Sequence, residues 1–320
     1  MKLPWLEDPW NDYAARREQG RLPHALLITG PPGSGKRQLA EAMVAGLLCQ
    51  RGRAAACGEC RSCRLLDGGA HPDRFLVTPE EDKRDIKIKA IRALIDRLVL
   101  TTTISPCKVA LIMPAEAMNR NAANALLKTL EEPPGDAMLA LVSDDPGRLP
   151  ATIRSRCQAL LVRPPERAAA IDWLRAEHGL DERSARLALE ATAGSPLHAA
   201  ALAEAGQLEA FRALRESLED IVGKPSRAGA LASQVAELEP ELAWSWLSLA
   251  SAAGLRSALN GVAATWPDTP YGRLRPDRFA RLQASADRNR KLVPTTVRQD
   301  LLLQEWLLEW ARLPARDTLR

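Results

Sequence analysis

The chain has 320 residues, 26% of them charged and only 4% aromatic, with a formal net charge of +4. That length suits two or three domains, each with its own core, and the Ala- and Leu-rich composition predicts a helix-rich soluble protein. The small positive excess permits contact with phosphates but is too mild to establish nucleic-acid binding; the plainer reading is a mixed, solvated surface.

The first residues, M-K-L-P-W-L-E-D-P-W, carry acids and prolines and no long apolar run. They read as neither a signal peptide nor a membrane span, so a cytoplasmic protein is expected. Asp8–Gln19 reads as a first helix broken at Gly20. Leu26–Leu39 then reads L-L-I-T-G-P-P-G-S-G-K-R-Q-L. An apolar strand over Leu26–Thr29 runs into a turn built on Gly30, Gly33 and Gly35, followed by Lys36 and a helix to about Leu48. Strand, Gly-rich turn, lysine and helix in that order make the context of a phosphate-binding loop. A working P-loop ATPase needs a Ser or Thr hydroxyl after the lysine to hold Mg²⁺; this chain has Arg37.

Cys49, Cys57, Cys60 and Cys63 follow in a Cys-x7-Cys-x2-Cys-x2-Cys series, read as lying on one short loop. Four thiols at this spacing suit a closed tetrahedral Zn²⁺ site of structural type, with no open position for water. Arg51, Arg53, Arg61 and Arg64 would offset its charge. A pair of disulfides or ordinary free thiols is the other reading, and a cytoplasmic setting disfavours the disulfides. His71, before a proline, reads as a loop residue rather than a ligand.

A strand is expected over Arg74–Thr78 and a helix from Ile88, where Ile88, Ile91, Leu94, Ile95 and Leu98 recur at helical spacing. Lys83, Arg84, Lys87 and Lys89 cluster at its start, either to attract a phosphate backbone or as a solvated basic end. Lys108–Met113 is the next buried strand. The metal-binding acids of a P-loop ATPase belong at its end, where the chain has Met113 and Pro114. Glu116 is the nearest acid, placed on the following turn. A helix over Asn119–Glu132 stops at Pro133-Pro134, a strand covers Ala137–Val142 with Ser143 as a candidate polar sensor of nucleotide, and a last strand covers Gln158–Val162.

Beyond Pro164-Pro165 only helices are expected: 166–177, 181–193, one opening at Ser195-Pro196, then 207–222, 226–238, 240–259, 276–292 and 295–313. The loop Gly261–Arg275 separates two of them. Trp244, Trp246, Trp306 and Trp310 lie among leucines and read mainly as core.

A-N-A-L-L-K-T-L-E-E-P-P at 123–134 and L-P-A-T-I-R-S-R-C at 149–157 resemble the AAA+ subunits of DNA polymerase clamp loaders. The four-cysteine insertion after the P-loop helix resembles that of the bacterial gamma/tau and delta-prime subunits in particular. The resemblance implies an α/β plus all-α architecture. A P-loop domain with a parallel sheet and a zinc module at 49–63 would occupy 1–165, a helical lid 166–206, and a helical oligomerisation collar 207–320. Hydrolysing members have the hydroxyl after the lysine, an Asp-Glu pair after the third strand, and an arginine at the position aligned with Leu197. Three departures in three segments make the chain similar to the non-hydrolysing delta-prime branch. The implied function is that of a subunit in a five-membered ring with gamma/tau and delta, which opens a sliding clamp and places it on primed DNA. Arg156, in Ser155-Arg156-Cys157, would act as an arginine finger on a neighbour's ATP; the other readings are a plain surface arginine or Arg154 in that role. ATP or ADP binding at Gly30, Gly33, Gly35 and Lys36 is expected to be weak or absent. A gamma/tau-like active ATPase, with Glu116 replacing the lost acids, is the alternative; a stand-alone zinc-containing nucleic-acid binder has only Cys49–Cys63 in its favour.

Overall fold

The computed structural model describes residues 3–81, 83–260 and 276–313, so the loop Gly261–Arg275 lies outside the described residues. The chain forms two compact units. One comprises Met1–Gly179 with Ser195–His198, the other Leu180–Gly194 with Ala199–Arg320. Residues 166–206, expected as one lid, thus contribute to both. Among the described residues no helix is long and apolar enough to cross a membrane.

The first unit is built on five strands: β1 (Ala25–Thr29), β2 (Arg74–Val77), β3 (Val109–Ile112), β4 (Met138–Ser143) and β5 (Gln158–Leu161). All neighbours pair in parallel, in the order β2-β3-β4-β1-β5. Every residue of β1 is buried, as a central parallel strand requires when both faces are covered. The register sets Thr29 opposite Ser143 on one side and Leu161 on the other. The carboxyl ends of β1, β4 and β5 are therefore level, and the loops that leave them share one edge. In an open parallel sheet that edge is where ligands bind.

Helices α1 (Glu7–Glu18), α2 (Lys36–Leu48), α3 (Arg61–Asp67), α4 (Ile88–Leu98), α5 (Arg120–Glu131), α6 (Ala151–Arg154) and α7 (Arg167–His178) complete this unit. Ile91, Leu94 and Leu98 of α4 join Ala122, Leu126 and Leu130 of α5 in one core with Leu27, Ala110 and Leu139 of the sheet. Asn119 caps α5 by accepting the Ala122 N–H at 2.9 Å. Most expected elements appear with ends shifted by a residue or two. Two short helices were not expected. α3 is capped by Cys60 rather than by a Ser, Thr, Asp or Asn, and α6 is a single turn behind Pro150.

The second unit is helical: α8 (Glu182–Ala191), most of α9 (Pro196–Glu204), α10 (Leu208–Asp220), α11 (Ala228–Val235), α12 (Pro240–Asn260), α13 (Pro276–Leu292) and α14 (Gln299–Ala311). Trp244, Trp246, Trp306 and Trp310 are all fully buried in its core with Phe211 and Phe279. Trp306 stacks on Trp310 at 5.3 Å, and Phe279 meets Trp310 edge-on at 5.9 Å. Three of the four indole N–H groups find acceptors without leaving the core: Trp306 donates to Leu282 O, Trp310 to Leu218 O and Trp244 to Gln299 Oε1, each at 2.9 Å, while Trp246 Nε1 is buried with no partner among the described residues. The core reading of the four tryptophans is the one the structure bears out.

Gly254 lies in α12 where a Cβ would stand 2.3 Å from the buried Phe279 ring. Gly254→Ala is expected to destabilise the second unit by about 1–3 kcal/mol through overpacking. Gly229→Ala, in α11 with nothing within 4 Å of the new carbon, should instead stabilise by about 0.5–1 kcal/mol. Denaturant melts of the two variants make the comparison, and equal effects of one sign would refute the close packing.

Candidate functional site

The turn after β1 is fixed by contacts that leave no room for side chains. At Gly30 a Cβ would stand 2.2 Å from the Val162 carbonyl oxygen. At Gly33, with φ of 65°, it would stand 1.9 Å from Ser195 Oγ. The Trp5 indole N–H donates to Ser34 O at 2.8 Å while its ring meets Trp173 edge-on at 5.4 Å, which pins the loop from outside. Lys36 opens α2 with its side chain only 3% exposed. Its Nζ donates to Pro31 O at 2.5 Å and stands 2.6 Å from Asp144 Oδ1, with Ser34 Oγ at 3.4 Å. A cavity of about 490 Å³ opens here, walled by Lys36, Met113, Pro114, Asp144, Leu197 and His198 among others.

The groups that would hold a metal beside phosphate are displaced or missing. Arg37 does not stand in the magnesium-ligand position: its side chain is 67% exposed and turns along α2 to Glu41, with Nε at 3.0 Å from Oε1. The hydroxyl is absent, and although Arg37 is among the residues walling the cavity its guanidinium is engaged by Glu41. β3 ends at Ile112, and Met113 and Pro114 follow it into the cavity wall. Glu116 lies on a 3-10 turn, Ala115–Ala117, and its Oε1 accepts the N–H groups of Asp144 at 2.9 Å and Asp145 at 3.3 Å. That carboxylate braces backbone instead of facing phosphate. Ser143 is fully buried at the end of β4, its Oγ without a hydrogen-bond partner among the described residues. Leu197, at the position aligned with an arginine of hydrolysing members, donates its N–H to Gly33 O at 3.4 Å, and an apolar side chain stands in the cavity wall.

Arg156 follows α6 and is not among the residues walling this cavity. Its Nε and Nη2 both donate to Glu131 Oε1, the former at 2.7 Å, and Nη1 donates to Thr152 O at 3.0 Å. The side chain remains one-third exposed. Glu131, the last residue of α5, was not singled out from sequence; the L-E-E-P-P run held the signal, but only the fold pairs it with Arg156. Arg154 is exposed. Of the basic cluster before α4, Lys83 pairs with Glu80, and Arg84, Lys87 and Lys89 are exposed.

The four sulfurs of Cys49, Cys57, Cys60 and Cys63 lie within 4.8 Å of one another and can hold a metal ion. They are not on one loop, as the spacing suggested. Cys49 ends α2, Cys60 caps α3 and Cys63 sits in its first turn, so two helix ends converge on the cluster. Backbone N–H groups already favour negative sulfur: Cys60 donates to Cys57 Sγ and Cys63 to Cys60 Sγ, both at 3.4 Å. Donors at Glu59 and Cys60 lower the Cys57 pKa. For Cys60 burial opposes ionisation, but the Cys63 and Gln50 N–H groups outweigh it and bring the thiol down to about 6. Burial pushes Cys63 up to about 12. Of the nearby arginines, Arg51 is raised by Cys57 and bonded to Glu59 at 2.8 Å.

His71 is buried behind the cluster and is no ligand. Its Nδ1 accepts the Asp73 N–H at 3.1 Å, which leaves the proton on Nε2, facing Ser62 Oγ at 2.8 Å and Ser105 Oγ at 3.1 Å. Both hydroxyls also reach Leu48 O, at 2.6 and 2.9 Å. Asp73 accepts the N–H groups of Thr103, Ile104 and Ser105. The network ties the segment carrying the cysteines to the loop before β3.

A family model described as DNA polymerase III, delta subunit, matches residues 6–166. DNA polymerase III subunit delta' of Pseudomonas aeruginosa is 37% identical over 324 residues, which cover 97% of this chain and 98% of that protein. Subunit delta' of Escherichia coli is 37% identical over 216 residues, 67% of this chain and 65% of that one. Subunit tau of Salmonella typhimurium is 39% identical over 140 residues, 43% of this chain and 21% of that one.

Burial lowers the His71 pKa, so the folded imidazole resists the proton that an unfolded chain accepts. Its contribution to stability is undiminished above about pH 6.5 and declines as pH falls from there toward the lower folded value. The difference in unfolding free energy between the chain and its His71→Gln variant should shrink over that window. A difference that does not change with pH would contradict the buried neutral imidazole.

Proposed function

The chain belongs to the DNA polymerase III delta-prime subunit family, and from that membership we propose that it is a non-hydrolysing subunit of the DNA polymerase III clamp loader. It assembles with gamma/tau and delta subunits in a cytoplasmic hetero-pentamer and acts on the sliding clamp and primer-template DNA through that complex. The observation that carries this reading is the P-loop itself. The glycines and Lys36 are kept, while Arg37 turns outward, Met113 and Pro114 replace the acids, and Glu116 is committed to the backbone of Asp144 and Asp145. Neither the position after the lysine nor the end of β3 carries a side chain that could bridge Mg²⁺ to phosphate, the step on which P-loop hydrolysis depends. Nucleotide binding at Gly30, Gly33, Gly35 and Lys36 is weak or absent.

In this reading 1–165 serve as a AAA+ domain, 166–206 as its lid and 207–320 as the collar that joins neighbouring subunits. Arg156 acts in trans, as an arginine finger on the ATP of an adjacent subunit, where its planar guanidinium suits phosphate oxygens. Its exposure and its anchorage through Glu131 and Thr152 support this: the side chain is held at the surface with part of its donor set in solvent.

The metal of Cys49, Cys57, Cys60 and Cys63 is a structural Zn²⁺. Tetrahedral zinc with Zn–S of about 2.3 Å sets its sulfurs about 3.8 Å apart, and Cys57 and Cys63 stand at 3.9 Å. Four sulfur donors and no open position leave the ion a role in holding α2 and α3 together.

The isolated chain should show no Mg²⁺-dependent ATP turnover. In the reconstituted complex Arg156→Ala should assemble but load clamps more slowly, with only partial loss of ATPase. A finger contributes about 10³–10⁵ in rate at its own site, and other sites in the ring stay intact. Arg154→Ala is the control. Wild-type clamp loading by Arg156→Ala would remove the trans role, and turnover by the isolated chain that vanishes in Lys36→Ala would remove the non-hydrolysing one.

Elemental analysis after dialysis should find one Zn²⁺ per chain, lost in Cys60→Ser. Structural zinc in small peptides contributes on the order of 10 kcal/mol, but this module sits on a large domain, so local loosening at 49–67 is the expected result. Four thiols that titrate freely in the purified chain would rule the metal out.

A further inference from the structure

We infer that Asp144 is a built-in competitor for phosphate: its carboxylate neutralises Lys36 in the place a bound phosphate group would, and so keeps the P-loop closed to free anions. Lys36 is nearly fully buried, and a buried ammonium needs an anionic or strongly polar partner. Within the unit it has two close ones, Pro31 O at 2.5 Å and Asp144 Oδ1 at 2.6 Å. The loop glycines and the start of α2 still form the cradle whose N–H groups and helix dipole favour negative charge. That cradle and Asp144 meet because β1 and β4 end level, with Thr29 opposite Ser143, so the next residue of each strand enters the same space.

Glu116 holds the competitor in place. Its Oε1 accepts the N–H groups of Asp144 and Asp145, while its Oε2 is buried without a partner among the described residues. A carboxylate kept in that condition is accounted for by what its other oxygen fixes, the turn that aims Asp144 at Lys36. The series Glu116, Asp144, Lys36 thus runs from the end of β3 through the end of β4 to the P-loop. The ligand that would displace Asp144 is a phosphate group, whose oxygens can replace the carboxylate at Lys36 Nζ.

This inference rests on the reading of the P-loop as non-hydrolysing, and the two fail separately. Titration of the full chain with inorganic phosphate, in Mg²⁺-free buffer without chelator so that the cysteine cluster is undisturbed, measures the competition. Asp144 is about half exposed, so solvent screens the pair and its removal has a moderate effect: Asp144→Asn should bind phosphate about three- to tenfold more tightly. The gain should vanish in the Asp144→Asn/Lys36→Ala double variant, and adding Mg²⁺ should not increase it. Glu116→Gln, which leaves Asp144 in the chain and only loosens its turn, should give a smaller gain in the same direction and carries the test if Asp144→Asn does not fold. Unchanged phosphate affinity in the folded variants overturns the competitor role. ATP hydrolysis by any of them would overturn the non-hydrolysing reading instead.

Discussion

The parallel pairing of β1 between β4 and β5 is the constraint on which the first unit depends. It buries the whole A-L-L-I-T run and levels three strand ends. The chain leaving β1 must then pass within van der Waals reach of the Val162 carbonyl, which only glycine at position 30 allows. From that point the loop is held by Trp5 at Ser34 and by Leu197 at Gly33. The cradle is therefore kept as part of the packing, whether or not anything binds it. A phosphate loop can outlive its chemistry when its glycines are also needed for close approach.

Polar groups buried in the first unit follow the same economy of contact. Asp73 takes three backbone N–H groups from Thr103 to Ser105, which holds its carboxyl below the usual aspartate range despite burial. His71, Ser62, Ser105 and Leu48 O complete a closed set of donors and acceptors. Such a set has one arrangement of lowest energy, because each bond left unmade in the interior costs more than a made bond contributes. It therefore fixes the position of α3, and with it Cys60 and Cys63.

The second unit obtains definition from aromatic rings. Few aromatics are present in the chain, but here they are concentrated where α10, α12, α13 and α14 meet. Large flat side chains with a single N–H each favour the packing that gives that N–H an acceptor, although Trp246 Nε1 has none among the described residues. Leu218 O, Leu282 O and Gln299 Oε1 supply three of them. Gly254 admits the Phe279 ring against α12, so the core depends on one absent side chain as well as on the large ones.

Much of this was legible in the sequence, because helices, strands and caps are set by residues within a turn or two of one another. Apolar spacing located most of the helices and all five strands, the Gly-x4-Gly-Lys run located the P-loop, and cysteine spacing located the cluster of four thiols that can hold a metal ion. Short elements escaped: α3 and α6 have too few residues for a period to register, and Cys60 is an unusual cap. What the tertiary structure alone decided are the partnerships of charged groups. Nothing near Arg37 in the pattern says that it turns to Glu41 rather than into the site. Nor does local sequence assign Arg156 to Glu131, Glu116 to the Asp144 backbone, or Asp144 to Lys36. A long charged side chain has many rotamers and reaches several neighbours, so its partner depends on which distant segments the strand register brings level, and that is a property of the assembled sheet.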